Sequence, residues 1–231
     1  MTTNITTKNG DDGQTDFAGF RIDKDEIPIR VMVDIDQLNS SLGLARAQTE
    51  NQLVRDFLHR LQLDTFILAA ELATAKRHKA SLQDSVDRKF LWYFEKDHEF
   101  LSNYKPYAED FVLPGGMDSV AGAMIDMTRT FARRLECDFS EFCNTVLENE
   151  DGVSVSWPQL IWPDVGETSN EDNTSPIKIE FMRQYFNRLS DTLWLLARIE
   201  EGTPLLRDGY NCDRFSCSEK IGETVPELRR K

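Results

Sequence analysis

The chain has 231 residues, 40% of them hydrophobic, four tryptophans and a formal net charge of −13. This is enough apolar material for a real core, which excludes global disorder, and the length suits one large domain or at most two. The negative charge argues against nucleic acid and anionic membranes as partners, and any phosphate site must be a pocket where basic residues converge.

The first motif in chain order is "TKNGDDGQTDF", residues 7–17. Gly10 and Gly13 open backbone angles closed to other residues and let a ligand approach the main chain. Their N–H groups, with Thr7, Lys8 and Thr15, can wrap an anion. The same residues also describe a polar leader that binds nothing. Next, "DIDQLNSSLGLARA" predicts a helix with Asp34 and Asp36 as N-caps and Leu38, Leu42 and Ala45 at helical spacing. A second helix is expected over about 49–76, where Leu53, Phe57, Leu61, Leu68 and Leu72 form one stripe. "SLQDSVDRKFLWYFEKDHEFLSNY" predicts a third, ended by Pro106, and "FVLPGG" a turn that launches a long fourth helix carrying Val120, Met124, Met127, Phe131, Leu135, Phe139 and Phe142.

Residues 148–176 form an acidic Pro- and Ser-containing segment, longer than an ordinary connection, and read as a solvated insertion loop. The last amphipathic helix, "IKIEFMRQYFNRLSDTLWLLARIE", turns Ile179, Met182, Phe186, Leu189, Leu193 and Leu196 to the core, and 202–231 is an irregular tail. There is no repeat and no convincing run of strands. The expected fold is all-α, an up-and-down bundle of about five helices in a single domain spanning 1–231. Four cysteines without a C-x-x-C pair argue against zinc. His59, His78 and His98 read as surface groups. No apolar stretch nears the roughly 20 residues that span a bilayer, and without a signal or transit segment the expected location is cytoplasmic.

The groups able to do chemistry sit on the last two long helices. Arg129, Arg133 and Glu136, at i, i+4 and i+7, share a face of the fourth, with Thr130 and Arg134 on a neighbouring stripe. Two guanidiniums one turn apart can clamp phosphate oxygens, and Glu136 can orient Arg133 or hold magnesium; an ion-paired surface explains the same residues. On the last helix Asn187 and Asp191 share a face, where Asn187 can read a purine or sugar, or make an interhelical hydrogen bond. Asp36 can pair with an arginine, or cap its helix. Phe111 opens a turn, where an aromatic is also a common core plug. No Ser-His-Asp constellation, P-loop, H-E-x-x-H or EF-hand spacing occurs.

Taken in order, "TKNGDDGQT", "DQLNSSLGLA", "LQLDTFILAAELAT", "FVLPGG" followed by "TRTFARRLE", and "YFNRLSDTLWLLAR" resemble the motifs of the PduO-type ATP:cob(I)alamin adenosyltransferases through almost the whole chain. The resemblance implies a five-helix bundle assembled as a homotrimer, with active sites between subunits and a leader, residues 1–30, ordered around the ATP triphosphate. Thr7, Lys8, Gly10, Asp11, Gly13, Gln14, Thr15 and Lys24 would contact ATP, completed by Arg133, Glu136 and Asn187. In that family cob(I)alamin attacks C5′ of ATP and releases triphosphate, with magnesium assisting through the ATP phosphates. The nucleophile is cobalt, so no activated side chain is required. Phe111 matches the phenylalanine that displaces the lower ligand of the corrinoid, Asp36 and Arg129 match a salt bridge at the subunit boundary, and Phe215 matches an aromatic of the corrinoid pocket. A flavin reductase and an adenosylcobalamin-dependent enzyme are the implied partners.

The chain also departs from the family pattern. Met32 and Val33 replace a Tyr-Gly, Gln37 a glutamate, Cys137 an arginine, and Pro28 stands where an arginine is usual, with Arg30 two residues on. Two other functions fit the sequence: a non-catalytic carrier of corrinoid or ATP on the same fold, and a helical interaction protein that docks a basic partner through its acidic segment.

Overall fold

The computed structural model describes residue 6 and residues 8–74, 86–104, 112–148, 152, 154–161 and 175–202. A hairpin, β1 (Gln14–Phe17) and β2 (Phe20–Asp23), precedes α1 (Ile27–Gln48), α2 (Gln52–Ala73) and α3 (Arg88–Tyr104). A short 3-10 turn (Gly116–Asp118) leads into α4 (Val120–Asn144); then come β3 (Val146–Glu148), β4 (Ser154–Ser156), the single-turn α5 (Trp157–Ile161) and α6 (Ser175–Glu201). Helix α4 packs between α1 and α6, α2 lies against α1 and touches α6, and α3 rests on α6.

The expected bundle of five long helices is present, and most of its predicted stripe is buried: Leu38, Leu42, Leu68, Leu135, Leu189 and Leu193 fully so, whereas Val120 and Met127 of the predicted α4 stripe are exposed. Each such side chain contributes roughly 1.5–3 kcal/mol by leaving water. Aromatic rings join the layers, Phe139 of α4 meeting Phe186 of α6 edge-on with centroids 5.0 Å apart. Side chains close several helix starts. Asn51 accepts from the N–H groups of Leu53 and Val54, Asp87 from Phe90 and Ser119 from Gly122.

Four sequence expectations are corrected. Helix α1 begins at Ile27 with Pro28 in its first turn, so Asp34 and Asp36 are interior residues and not N-caps. Pro28 tolerates that position because the missing N–H has no helical partner there anyway, and Ile27, Val31 and Ile35 extend the buried stripe upstream. Strands exist: β1 and β2 pair antiparallel through a two-residue turn, Ala18–Gly19, both at positive φ, as the twist of a tight hairpin requires. Phe17, Ala18 and Ile22 are buried in the main core, which anchors the hairpin. Within 148–176, residues 154–161 are not a solvated loop, since β4 pairs with β3 and α5 buries Trp157 and Ile161 against α4. His98 is half-buried. Its Nδ1 lies 2.9 Å from the Thr192 hydroxyl, which itself donates to the Arg188 carbonyl, so the hydroxyl accepts a proton held on Nδ1. His78 lies outside the described residues.

Candidate active site

The Gly-rich leader forms a wound turn whose backbone closes on itself. Asp11 N–H donates to Lys8 O, Gly13 N–H to Gly10 O, and Lys24 N–H to Gly13 O at 3.0 Å. Gly13 has φ +86 and Lys8 φ 61, and Gly13 is the position where only glycine is relaxed. Lys24, arriving on the far end of the hairpin, places Nζ 2.5 Å from the Gly10 carbonyl. Gln14 Nε2 donates to Asp23, and Gln14 N–H to Asp12 Oδ1. Arg21 holds Asp12 at 3.0 Å and Asp16 at 3.5 Å. The Gln14 N–H, and then Arg21, keep the Asp12 carboxyl below its ordinary range. So Lys8, Gly10, Asp11, Gly13, Gln14, Thr15 and Lys24 are gathered into one small structure, with the cations Lys8 and Lys24 at its rim. Thr7 lies outside the described residues.

The second group sits where α4 meets α6. Asn187 Nδ2 donates to Glu136 Oε1 at 3.0 Å. Glu136 therefore holds Asn187, not Arg133, and its other oxygen has no partner among the described residues. Arg133 is exposed on α4 and makes no hydrogen bond or ion pair among the described residues. A guanidinium left in this state is ready for an external anion. Asp36 is likewise exposed and unpaired on α1. Arg129 is directed by Asp126, whose Oδ1 accepts from its Nε at 3.1 Å. Within the chain Asp36 and Arg129 do not meet. Neither does the leader hydrogen-bond to Arg133, Glu136 or Asn187 among the described residues.

Arg134, on the adjoining stripe, binds buried Asp34 through Nε at 2.7 Å and also Gln37. Gln37 thus still accepts from an arginine where the family has a glutamate. Arg30 reaches Glu141 at 2.5 Å, so the altered entry to α1 is tied to the far end of α4. Asp138, beside Asp34, has its pKa raised by burial first and then by a hydrogen bond to Asp34. Asn39 and Gln62, from two of the quoted motifs, hold each other across α1 and α2 at 3.1 Å. Gly43 leaves room for this, since a Cβ there would lie 2.9 Å from Gln62 Nε2.

Sequence reasoning missed one set of residues altogether: Asp126, Arg198 and Glu201, a buried charged cluster beneath the Pro-Gly-Gly turn. Arg198 and Glu201 close a helix whose apolar stripe drew all the attention. Phe111 and Phe215 lie outside the described residues.

The class of protein is thus a helical bundle with an exposed arginine near a carboxylate–amide pair on α4 and α6 and a separately wound glycine turn ahead of α1. Comparison with known proteins narrows this. A family model described as cobalamin adenosyltransferase matches residues 5–156, and the chain belongs to that family. A corrinoid adenosyltransferase of Citrobacter freundii is 30% identical over 201 residues, covering 87% of this chain and 96% of its own. One from Mycobacterium leprae is 29% identical over 85% of this chain and 91% of its own. In fold, the chain is similar to a variant PduO-type ATP:corrinoid adenosyltransferase from Lactobacillus reuteri complexed with cobalamin and ATP, with a TM-score of 0.63, 21% identity and coverage of 89% and 97%.

Proposed function

We propose that this chain transfers the 5′-deoxyadenosyl group of ATP to the cobalt of cob(I)alamin, giving adenosylcobalamin and triphosphate. The observation that carries the reading is the unpaired Arg133 beside the Glu136–Asn187 pair, in a chain of this family whose glycine leader is already wound. Cobalt supplies an electron pair to C5′, the C5′–O bond breaks, and the triphosphate leaves with that bond's electrons. What the protein supplies is alignment and charge. Lys24 exchanges the Gly10 carbonyl for a phosphate oxygen. Lys8 and the N–H groups near Gly10 and Gly13 line the triphosphate, and Arg133 takes a terminal phosphate. Asn187, oriented by Glu136, meets the nucleoside.

Magnesium, in this reading, rides on the phosphates, with the free oxygen of Glu136 as its protein contact. Two separated half-sites support a homotrimer in which the leader of one subunit closes on α4 and α6 of the next, Asp36 pairing with Arg129 across the boundary. Val33 on α1 and Val120 and Met127 on α4 are exposed and would be covered there. Phe111 and Phe215 are assigned to the corrinoid. A flavin reductase as electron source, an adenosylcobalamin-dependent enzyme as recipient, a cytoplasmic location and a single domain over the whole chain complete the proposal. No described helix is long and apolar enough to cross a membrane.

The test is an anaerobic visible-absorbance time course with reduced cobalamin, ATP and magnesium. Loss of the cob(I)alamin spectrum with appearance of adenosylcobalamin and triphosphate is the expected result. Tight ATP binding with no conversion would favour a carrier instead, and neither binding nor conversion would refute the assignment.

A further inference from the structure

The Pro114–Gly115–Gly116 turn is held from the far end of the chain. The N–H groups of Gly115 and Gly116 both donate to Oε1 of Glu201, the last residue of α6, at 3.1 and 3.0 Å. Oε2 of the same carboxylate accepts from Arg198 Nε at 2.8 Å. Arg198 donates through Nη2 to Asp126 Oδ2 at 2.5 Å, and Asp126 Oδ1 accepts from Arg129 Nε at 3.1 Å. Charged hydrogen bonds therefore run without a gap from the turn to Arg129. Their middle is dry: Arg198, Asp126 and Glu201 are 1%, 3% and 4% exposed.

Two details indicate that Glu201 is there for the turn. A carboxylate in the last turn of a helix faces the negative end of the macrodipole, so that place is unfavourable unless local groups hold the charge. Here two backbone N–H groups and one guanidinium do so, satisfying both oxygens. The first turn of α4 is also shaped around the same side chain. A Cβ on Gly122 would fall 2.6 Å from Glu201 Cγ and 3.2 Å from its Oε1. Glu201 is tied at both oxygens, so a side chain here could be accommodated only by moving it off those hydrogen bonds. Gly115 itself sits at φ +84, a conformation that leaves its N–H aimed at the carboxylate.

We propose that Glu201, braced by Arg198 and Asp126, is a positioning residue of the transfer reaction that sets the Gly115–Gly116 turn in register with Arg129. The inference rests on the adenosyltransferase reading. In that reading the chain just before the turn carries Phe111, four residues ahead of Gly115, and Arg129 belongs to the subunit boundary. The Glu201 network then joins the turn that follows Phe111 to Arg129 through side-chain hydrogen bonds, in addition to the chain of α4 itself, and ties both to the end of α6.

The experiment compares Glu201→Asp, Glu201→Gln and Gly122→Ala with wild type. Asp keeps the charge for Arg198 but is one methylene too short to serve both N–H groups as well. Gln keeps the length and loses the charge. Ala at Gly122 displaces the intact glutamate. Turnover is measured from cob(I)alamin and from cob(II)alamin with a chemical reductant, alongside the KM for ATP, thermal unfolding, and the electron paramagnetic resonance signal of four-coordinate Co(II) formed with ATP. With folding retained, Glu201→Asp and Gly122→Ala are expected to slow turnover from cob(II)alamin about tenfold, the consequence of losing one charge-assisted hydrogen bond. The four-coordinate signal should fall in step and the KM for ATP should not change, while Glu201→Gln lies between these variants and wild type. Wild-type behaviour of all three variants would overturn the inference. So would a uniform loss of ATP affinity and both activities in proportion to unfolded protein, which marks a merely structural role. A wild-type protein that converts no cob(I)alamin would instead overturn the reading beneath it.

Discussion

Asp64 offers a prediction that the structure makes quantitative. It lines a cleft of about 620 Å³ between α2 and α3, with Leu63, Ile67, Phe90, Tyr93 and Phe94. Its Oδ2 accepts from the hydroxyl of fully buried Tyr185 at 3.0 Å. Arg60, the cation nearby, is engaged with Asp97 at 2.9 Å. Desolvation pushes the Asp64 carboxyl from 3.8 up to about 7, with the charge of Asp97 adding to the rise and the Tyr185 hydrogen bond opposing it. An acid whose folded pKa is raised binds its proton more tightly in the native state, so stability declines as pH climbs from about 4 to about 7 and stays low above. At 1.36 kcal/mol for each pKa unit, the full decline is roughly 4 kcal/mol, an upper bound because water entering the cleft shares the charge. Asp64→Asn preserves the acceptor for Tyr185 and removes the ionisation. Urea unfolding at half-unit steps from pH 4.5 to 8.5 should show the variant gaining on wild type across pH 4–7 and remaining more stable by about 2–4 kcal/mol at pH 8. Parallel curves for the two proteins, or a variant that loses stability at pH 8, would refute the reasoning.

Three further predictions concern other elements. Arg133→Ala should weaken ATP binding by one to two orders of magnitude, the loss of a charge-assisted contact of about 1.5–3 kcal/mol, with the unfolding temperature unchanged because the side chain has no partner among the described residues. Calorimetric titration with ATP decides it, and an unaltered affinity would remove Arg133 from the nucleotide site. Phe111→Ala should leave ATP binding intact yet slow conversion that starts from cob(II)alamin; normal rates from that oxidation state would reduce Phe111 to a packing residue. Trp157→Ala should cost about 3–5 kcal/mol in denaturant unfolding, since the ring is 5% exposed against the bundle. A change within error would mean that α5 does not belong to the cooperative core.

Much of this molecule can be read from local pattern, and the reason is periodicity. The stripes of α2, α4 and α6 recur at helical spacing over many turns, so most of their burial follows from the sequence, although Val120 and Met127 on α4 stay exposed. The leader and the arginine stripe stand out in the sequence for a similar reason, since the residue types proposed for phosphate binding fall at short spacing. Errors arose where a short-range signal competed with a longer one. The aspartates before "QLN" look like helix caps, but Val31 and Ile35 continue the stripe upstream and Pro28 supplies the start. "FAGF" lacks the Asn-Gly or Asp-Gly of a typical tight turn, and the hairpin is held by burial of Phe17 and Ile22, which no four-residue strand announces.

Periodicity and motif order by themselves determined a helical bundle and its family, because a helix stripe or a short motif is set within a few turns of chain. Tertiary structure alone decided that Glu136 serves Asn187, that Gln37 keeps an arginine partner, and that Glu201 at the end of α6 grips a turn 85 residues earlier. Those partners lie far apart in sequence, and a charged residue acquires its role from whichever opposite group the packing of the helices brings within about 3 Å.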